Sequence, residues 1–197
     1  MLLGVDADAD SLVDMGITEY TVCSEECFAG SDSFCTRWYT ICLMTFLERV
    51  CAALNLAKVD YVIVGGYAVA LHGAIRGTLD IDIALCWTRA DLENTESALK
   101  QIGLVSRLPI CAFDVFNYRD EYIQNRNLVA WNFHNPDDPS EQVDIIITFD
   151  AKGKKTSIKQ VAKVCIPLLN IGDLMAMKKA CGRPQDVEDV NALEKLQ

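Results

Sequence analysis

The pattern of apolar and polar positions along this chain predicts both helices and strands. Tyr39, Leu43, Val50 and Leu54, with Phe46 or Leu47 between them, recur at helical spacing and predict a helix over residues 38–57. Short apolar runs bounded by turn residues predict strands instead. The other predicted elements, in chain order, are strand 60–64, helix 67–74, strand 80–85, helix 88–102, a helix near 117–126, strands 128–134 and 142–149, a further strand at 161–167, and helices 171–181 and 184–196.

Turn and capping residues set several of these boundaries. Thr88 can cap the helix over 88–102, and Gly103 follows the end of that helix. The turn-forming cluster Asn135–Pro139 separates two predicted strands, which indicates an antiparallel hairpin. Gly182 and Pro184 mark the end of one helix and the start of the next. Together the elements are typical of an α/β (α+β) fold with a C-terminal helix pair.

Two carboxylates lie in an otherwise apolar strand. Asp80 and Asp82 are at positions i and i+2, so they share one face of the strand about 6.5–7 Å apart. An unpaired ionised group in a buried strand costs several kcal/mol. A divalent cation bound by both carboxylates would offset that cost. A pair of aspartates on the solvent side of an ordinary α/β domain is the alternative.

A glycine pair precedes these carboxylates. Gly65-Gly66 separates the apolar run Tyr61–Val64 from a predicted helix, and 13 residues lie between Gly66 and Asp80. Bare backbone N–H groups at the start of a helix are a natural site for an anion. Metal-binding carboxylates beside a phosphate site indicate chemistry on a nucleoside triphosphate.

This ordered set of motifs resembles the nucleotidyltransferases of the polymerase-beta-like superfamily, in particular the small bacterial branch that includes AbiEii-type toxins. In that family Gly-Gly opens the nucleotide site and Asp-x-Asp follows a short helix, as Gly65-Gly66 and Asp80-x-Asp82 do here. Residues 171–196 are similar to the closing helix pair of the family. The resemblance covers about residues 44–197 and implies a mixed sheet flanked by helices.

The resemblance also implies a third carboxylate and a metal-dependent mechanism. Asp144, in the predicted strand 142–149, fits the third position and would join Asp80 and Asp82 in holding two Mg²⁺ ions about 3.5–4 Å apart. An NTP is the implied substrate, and its nucleoside monophosphate would be transferred to a hydroxyl. Asp144 taken by itself is equally well explained as a charge that faces water at a strand edge.

The candidate nucleotide-binding and catalytic cations lie on helices. Lys178 falls where the resembling proteins carry a functional lysine, whereas its neighbour Lys179 points about 100° away around the helix. A solvated lysine pair near a helix C-terminus is the alternative for both. Arg76 either pairs with a carboxylate or contacts a phosphate. Arg183 and Asp186 are supporting candidates, for which a helix-cap and ion-pair role is at least as good an explanation.

Two residues of the predicted glycine-helix segment have open roles. Tyr67 stands where many superfamily members have a serine that contacts phosphate, so phosphate contact is expected to come mainly from backbone N–H groups. Packing is the favoured explanation for the tyrosine ring itself. For His72 a hydrogen bond to the backbone is favoured over proton transfer.

Charge divides the chain into two unequal parts. Residues 1–36 contain eight acidic residues and no basic ones, whereas the remainder contains 20 acidic and 18 basic residues. We therefore expect residues 1–36 to be an acidic, weakly ordered extension and residues 37–197 to be the nucleotidyltransferase-like domain. The balance of −2 in the second part does not exclude an RNA acceptor, but it supplies no basic stripe that would favour one.

Composition also sets expectations for the compartment. No apolar run reaches the 18 or so residues needed to span a bilayer, so no membrane partner is expected. The first Lys or Arg is Arg37, so a positively charged secretory start is missing. The nine cysteines are scattered and are expected to be reduced thiols of a cytoplasmic protein.

Three functions agree with this sequence. The first is an active nucleotidyltransferase whose acceptor is an RNA end, a protein side chain or a small hydroxylic molecule. The second is a toxin of a toxin–antitoxin pair, with the same chemistry directed at tRNA and a protein partner that restrains it. The third is an inactive descendant that binds a nucleotide or a protein. The intact set of Asp80, Asp82 and Asp144 argues against the third, because buried aspartates without a metal would be costly.

Overall fold

One seven-stranded mixed sheet forms the framework of the protein. The computed structural model describes residues 44–196. The strands follow the order β3-β4-β5-β2-β1-β7-β6 across the sheet. Their ranges are β1 (Tyr61–Ile63), β2 (Asp80–Leu85), β3 (Val105–Ser106), β4 (Ala130–His134), β5 (Gln142–Ile146), β6 (Thr156–Val161) and β7 (Val164–Leu169).

Strand directions in the centre of the sheet are mixed. Strand β2 runs antiparallel to β1 and parallel to β5, and β1 runs parallel to β7. The hairpin predicted between the two strands flanking Asn135–Pro139 is confirmed, because β4 and β5 pair antiparallel from Ala130↔Ile146 to His134↔Gln142. The mixed α/β fold predicted from the sequence is also confirmed. The central position of β2 places Asp80 and Asp82 between β1 and β5.

Seven helices accompany the sheet in the described part of the chain. They are α1 (Phe46–Leu56), α2 (Gly65–His72), α3 (Arg89–Gln101), α4 (Ala112–Asn117), α5 (Arg119–Arg126), α6 (Ile171–Cys181) and α7 (Pro184–Glu194). Helix α1 packs against α3 and β7, while α6 and α7 pack against each other and against α2. The predicted C-terminal helix pair is therefore present, with Gly182 in the left-handed region between its members.

The core lies against the side of the sheet opposite to Asp80 and Asp82. Ile81, Ile83, Val143 and Ile145 are fully buried, and they alternate along β2 and β5 with half-buried residues. Because side chains alternate between the two faces of a strand, this alternation separates an apolar face from a polar one. The polar face carries the candidate site.

The first helix is shorter than the sequence predicted. The backbone of Thr45 is extended (φ −64°, ψ 161°), and its hydroxyl and Glu48 form a capping box, so helix α1 begins at Phe46. A continuous helix over 38–57 is therefore wrong, because a capping residue with extended backbone ends the helix at that point. Residues 38–43 lie outside the described residues. The predicted boundary between residues 36 and 37 lies outside them too and stays a prediction.

Several other elements differ from the sequence prediction. Helix α2 begins at Gly65 instead of residue 67 and ends at His72, because Gly73 adopts a positive φ of +116°. The segment 104–126, predicted to be irregular before its helix, also contains β3 and α4. Strand β6 was missed, since most of its residues are exposed and give no apolar alternation. Strand β5 ends at Ile146 rather than at residue 149.

No helix within residues 44–196 combines the length and the apolar character that a membrane span requires.

Candidate active site

Three carboxylates converge on the polar face of the sheet. Parallel pairing of β2 with β5 sets Asp82 directly opposite Asp144, and Asp80 lies two residues before Asp82 on the same face. One carboxylate oxygen from each of the three residues lies within 4.8 Å of the others. The predicted carboxylate set is therefore brought together by the register of two central strands. Its function as a metal site stays a prediction.

Burial and mutual repulsion weaken the acidity of this cluster. Burial first, and then the charges of Asp80 and Asp144, raise the pKa of Asp82 to about 6, although Lys178 and the backbone N–H of Gly66 act in the opposite direction. The pKa of Asp144 is also raised, first by burial and then by the charge of Asp80. Carboxylates that repel one another in a partly desolvated site gain most from a bound cation.

The donor set fits Mg²⁺. Three carboxylate oxygens within 4.8 Å of one another supply the hard oxygen ligands that this ion requires. A few protein carboxylates leave coordination positions for water and for substrate oxygens, which is how Mg²⁺ is usually held at phosphate-processing sites. Asp80, Asp82 and Asp144 are thus the residues that would hold the metal.

Gly65 is required beside Asp82 for a steric reason. Its φ is +62°, and a Cβ atom at this position would lie 1.7 Å from Asp82 Oδ2. Gly66 is also constrained, since a Cβ there would lie 2.8 Å from the side chain of Thr78. The two glycines therefore let the start of helix α2 approach the carboxylates of β2 closely.

The N-terminus of helix α2 presents backbone donors at this point. Val64 is the N-cap, and its apolar side chain makes no capping hydrogen bond, whereas the backbone N–H of Gly66 faces the Asp82 carboxylate. Uncapped N–H groups at the start of a helix favour a phosphate. The ring of Tyr67 packs against the core, and burial together with the nearby Asp80 charge raises the pKa of its hydroxyl. This packing agrees with the favoured explanation for Tyr67.

Lys178 is buried between two carboxylates of helix α7. Its side chain is 6% exposed, and its Nζ lies 3.1 Å from Asp186 Oδ1 and 2.7 Å from Asp189 Oδ2. The solvated alternative is therefore wrong for Lys178, although it fits Lys179, which is exposed and pairs with Glu194. Lys178 also lowers the pKa of Asp82, so its charge reaches the carboxylate cluster. A catalytic role for Lys178 stays a prediction.

The other predicted cations join the same ion-pair cluster. Arg76 Nε lies 3.2 Å from Asp189 Oδ1, which favours the carboxylate-pairing explanation over direct phosphate contact. Arg183 pairs with Asp186 at 2.7 Å and is largely exposed. Asp186 and Asp189 are 1% and 2% exposed. These two aspartates pair with all three cations, which leaves one net positive charge in the cluster, and they connect α7 to the loop that precedes β2.

His72 has the backbone contact that the sequence favoured. Its Nε2 lies 2.8 Å from the carbonyl oxygen of Leu169, at the end of β7. The contact links the last turn of α2 to the sheet and keeps the imidazole in a structural role.

Three residues near the carboxylates were not singled out from the sequence. Asn132 donates its side-chain N–H to Asp144 Oδ1 at 2.7 Å, and the Thr78 hydroxyl donates to Asp80 Oδ1 at 3.0 Å. Asp189 bridges Arg76 and Lys178. The predicted hairpin contained a signal for Asn132, because a register that pairs His134 with Gln142 also sets Asn132 opposite Asp144. No comparable local signal identifies Asp189.

Comparisons with known proteins agree with this geometry. Residues 43–196 match the model of a family described as nucleotidyltransferase of unknown function (DUF6036). No curated protein sequence is significantly similar to the chain. The lincosamide antibiotic adenylyltransferase LnuA, solved with lincomycin bound, is 14% identical with a TM-score of 0.54, and the similarity covers 77% of this chain and 96% of LnuA. At this identity the likeness shows the fold.

Two further solved structures are similar at lower scores. The antibiotic-resistance factor ANT(2'')-Ia is 11% identical, with a TM-score of 0.49 over 75% of this chain and 80% of that protein. An antigenic nucleotidyltransferase-like protein from Paracoccidioides brasiliensis is 15% identical, with a TM-score of 0.46 over 76% of both chains.

Proposed function

Because the chain belongs to the family of nucleotidyltransferases of unknown function DUF6036, we propose that it transfers a nucleoside monophosphate from an NTP to a hydroxyl acceptor in a Mg²⁺-dependent reaction. The observation that carries the proposal is the convergence of Asp80, Asp82 and Asp144 beside an uncapped helix N-terminus. An anion site and a cation site in contact are what a metal-bound triphosphate requires.

Different residues would bind the nucleotide and the metal. The start of α2, opened by Gly65 and Gly66, binds the triphosphate through backbone N–H groups. Asp80, Asp82 and Asp144 would hold Mg²⁺, which would neutralise charge on the leaving pyrophosphate and lower the pKa of the attacking hydroxyl.

Supporting residues hold this arrangement in place. The Asn132 amide orients Asp144, and the Thr78 hydroxyl orients Asp80. Lys178 sets a positive charge next to Asp82, and Asp186 and Asp189 fix its position. These hydrogen bonds matter because the loss of one group that orients a metal ligand commonly costs about 10–100-fold in metal affinity or activity.

The acceptor is a hydroxyl of an RNA, a protein or a small molecule. A tRNA acceptor with a restraining antitoxin-like protein, as in the AbiEii-type branch, is one form of this proposal. An inactive family member that only binds nucleotide would keep the phosphate site at Gly65 and Gly66 but would transfer no nucleotide to any acceptor.

Transfer of a labelled nucleotide tests the proposal directly. The full-length protein is incubated with Mg²⁺ and each α-³²P-labelled NTP, in separate reactions with total RNA, with cell lysate and with a panel of small hydroxylic compounds. We expect a product with at least one acceptor, and its loss by more than about 100-fold in Asp82→Asn. Asp137→Asn is the matched control, because Asp137 lies in the exposed turn between β4 and β5.

The fold of the two variants separates catalysis from stability. Removing the Asp82 charge relieves repulsion with Asp80 and Asp144, so Asp82→Asn should melt no lower than the wild type. The proposal fails if no NTP labels any acceptor, or if a folded Asp82→Asn protein transfers as well as Asp137→Asn.

A further inference from the structure

An open cavity of about 450 Å³ lies beyond the end of β2, against the junction of α4 and α5. Its volume falls in the range of natural ligand pockets. Trp87 follows Asp82 by five residues, so the cavity is roughly 16 Å from the carboxylate cluster along the direction of β2. The lining residues that offer a ligand a ring face or a charge are Trp87, Phe116, Tyr118, Arg119, Asp120 and Glu121.

Arg119 has a fixed orientation at this cavity. Its guanidinium carbon lies 3.9 Å from the centre of the Trp87 ring, and its Nε donates a hydrogen bond to the Ile147 carbonyl oxygen at 2.7 Å. In the described part of the chain, the other half-buried arginines, Arg49 and Arg76, each pair with a carboxylate, whereas Arg119 does not. Its two terminal amino groups can therefore donate two parallel hydrogen bonds to a ligand.

Two carboxylates at the same cavity decide the charge of the ligand. Asp120 and Glu121 are exposed and follow Arg119 directly in the chain. One positive charge is thus set against two negative ones, which disfavours a phosphate or a carboxylate as the group bound at Arg119. The charges instead suit a neutral ligand that accepts two hydrogen bonds from the guanidinium and donates others to the carboxylates. The aromatic rings of the lining favour a planar ligand.

Among the nucleobases, guanine has this arrangement of polar groups. Its N7 and O6 are adjacent acceptors that an arginine binds in bidentate fashion, and its N1–H and N2 amino group are donors that carboxylates accept. Adenine has an amino donor beside N7, and this donor would oppose the donors of the guanidinium. Cytosine and uracil have no N7. The polar groups at the cavity therefore fit guanine better than the other three bases.

We propose that this cavity binds a guanine base and is a second nucleoside site, apart from the carboxylates of the sheet. Arg119 donates to N7 and O6, Asp120 and Glu121 accept from N1–H and the N2 amino group, and the base stacks against the aromatic lining. The base belongs either to a free guanine nucleotide or to a guanosine of an RNA strand, because both present the same polar edges. Binding here requires neither Mg²⁺ nor nucleotide transfer, so the inference does not depend on the proposed function.

Calorimetric titration of the full-length protein in EDTA tests the site. Guanosine, which has no phosphate to bind at the start of α2, is compared with adenosine, inosine and 7-deazaguanosine. We expect guanosine to bind and adenosine to bind at least about 100-fold more weakly. Loss of the N2 amino group in inosine, or of N7 in 7-deazaguanosine, should each weaken affinity about tenfold, the effect of one lost hydrogen bond. The pentanucleotides UUGUU and UUAUU distinguish the sources: affinity for UUGUU more than about tenfold above that for guanosine indicates RNA, and a smaller difference indicates a free nucleotide.

Two variants probe the two sides of the contact. Arg119→Lys keeps the charge but removes the pair of parallel donors, and a double variant, Asp120→Ala with Glu121→Ala, removes both acceptors at exposed positions. Each should weaken guanosine binding at least about tenfold. Arg126→Lys is the matched control, because Arg126 is an exposed arginine at the other end of α5, and it should bind guanosine as the wild type does. Thermal melting shows whether each variant is folded.

The outcomes separate this inference from the proposed function. The inference is overturned if guanosine and UUGUU bind no more tightly than adenosine and UUAUU, or if either folded variant binds guanosine as well as Arg126→Lys does. The comparison of nucleosides on the wild-type protein decides the question even where a variant does not fold. A protein that binds guanosine but transfers nucleotide to no acceptor refutes the proposed function and leaves this inference intact.

Discussion

The steric fit between Gly65 and Asp82 yields a quantitative prediction for Gly65→Ala. The new Cβ would lie 1.7 Å from Asp82 Oδ2, whereas ordinary contacts of this kind are about 3.4 Å or more. The carboxylate or the helix start must therefore move by roughly 1.7 Å. A displacement of about 1 Å at a reacting centre can reduce the rate by about 100-fold, so we expect at least that loss of transfer.

A second effect of Gly65→Ala acts on stability alone. Its φ of +62° lies in the left-handed region, where a residue with a Cβ costs about 1–2 kcal/mol. For a chain of this size about 1 kcal/mol corresponds to a decrease in Tm of about 2–4 °C. Gly153→Ala isolates this contribution, because Gly153 has a φ of +72° and nothing lies within 4 Å of its Cβ position.

The assay compares the two alanine variants with the wild type. Thermal melting in EDTA measures stability, and incorporation of labelled NTP at saturating Mg²⁺ measures transfer. The positive φ should lower the Tm of both variants by a similar amount, but only Gly65→Ala should lose nucleotide-transfer activity. Equal activities in two folded variants would refute the steric reasoning.

Three further predictions follow from other parts of the site. Gly66→Val places a branched side chain against Thr78, so NTP affinity measured by calorimetry should fall. Unchanged affinity in a folded variant would contradict a phosphate site at the start of α2. The pKa of Asp82 is raised to about 6 in the folded state. Between about pH 4 and 6 the Asp82 carboxyl of the folded, metal-free protein therefore keeps a proton that the same group releases in the unfolded chain. Its Tm should decrease as the pH rises through this window, Mg²⁺ affinity should weaken below about pH 6, and Asp82→Asn should flatten the Tm profile. Proteins that start at Arg37 or at Met44 should keep the wild-type Tm, because the capping box of Thr45 and Glu48 is retained; a loss of folding places the domain boundary elsewhere.

Two members of the carboxylate cluster could be predicted because their relative geometry is local, and the third could not. Asp80 and Asp82 share a face through the two-residue period of a strand, and the resemblance to known nucleotidyltransferases supplied Asp144. The surroundings of Lys178 could not be predicted in this way. Its partners Asp186 and Asp189 lie on the next helix, and only the packing of α6 against α7 brings them to the lysine.

The elements that the sequence failed to predict are mainly short or exposed ones. Strand β3 has two residues and β6 is almost entirely exposed, so neither shows the apolar alternation on which strand prediction depends. The start of α1 was misplaced because apolar residues continue upstream of Thr45, although the capping pair Thr45 and Glu48 is visible in the sequence. Periodicity therefore outweighed a capping signal that should have set the boundary.

The ion pairs between α6 and α7 form later in the synthesis of the chain than the strands that carry the three carboxylates. The ribosome completes Asp80, Asp82 and Asp144 well before it reaches Asp186 and Asp189. Until α7 has emerged, Arg76 and Lys178 lack the carboxylates that neutralise them in the folded protein. A nascent chain therefore contains every proposed metal ligand, and both strands that align them, before the charges of Arg76 and Lys178 have their carboxylate partners.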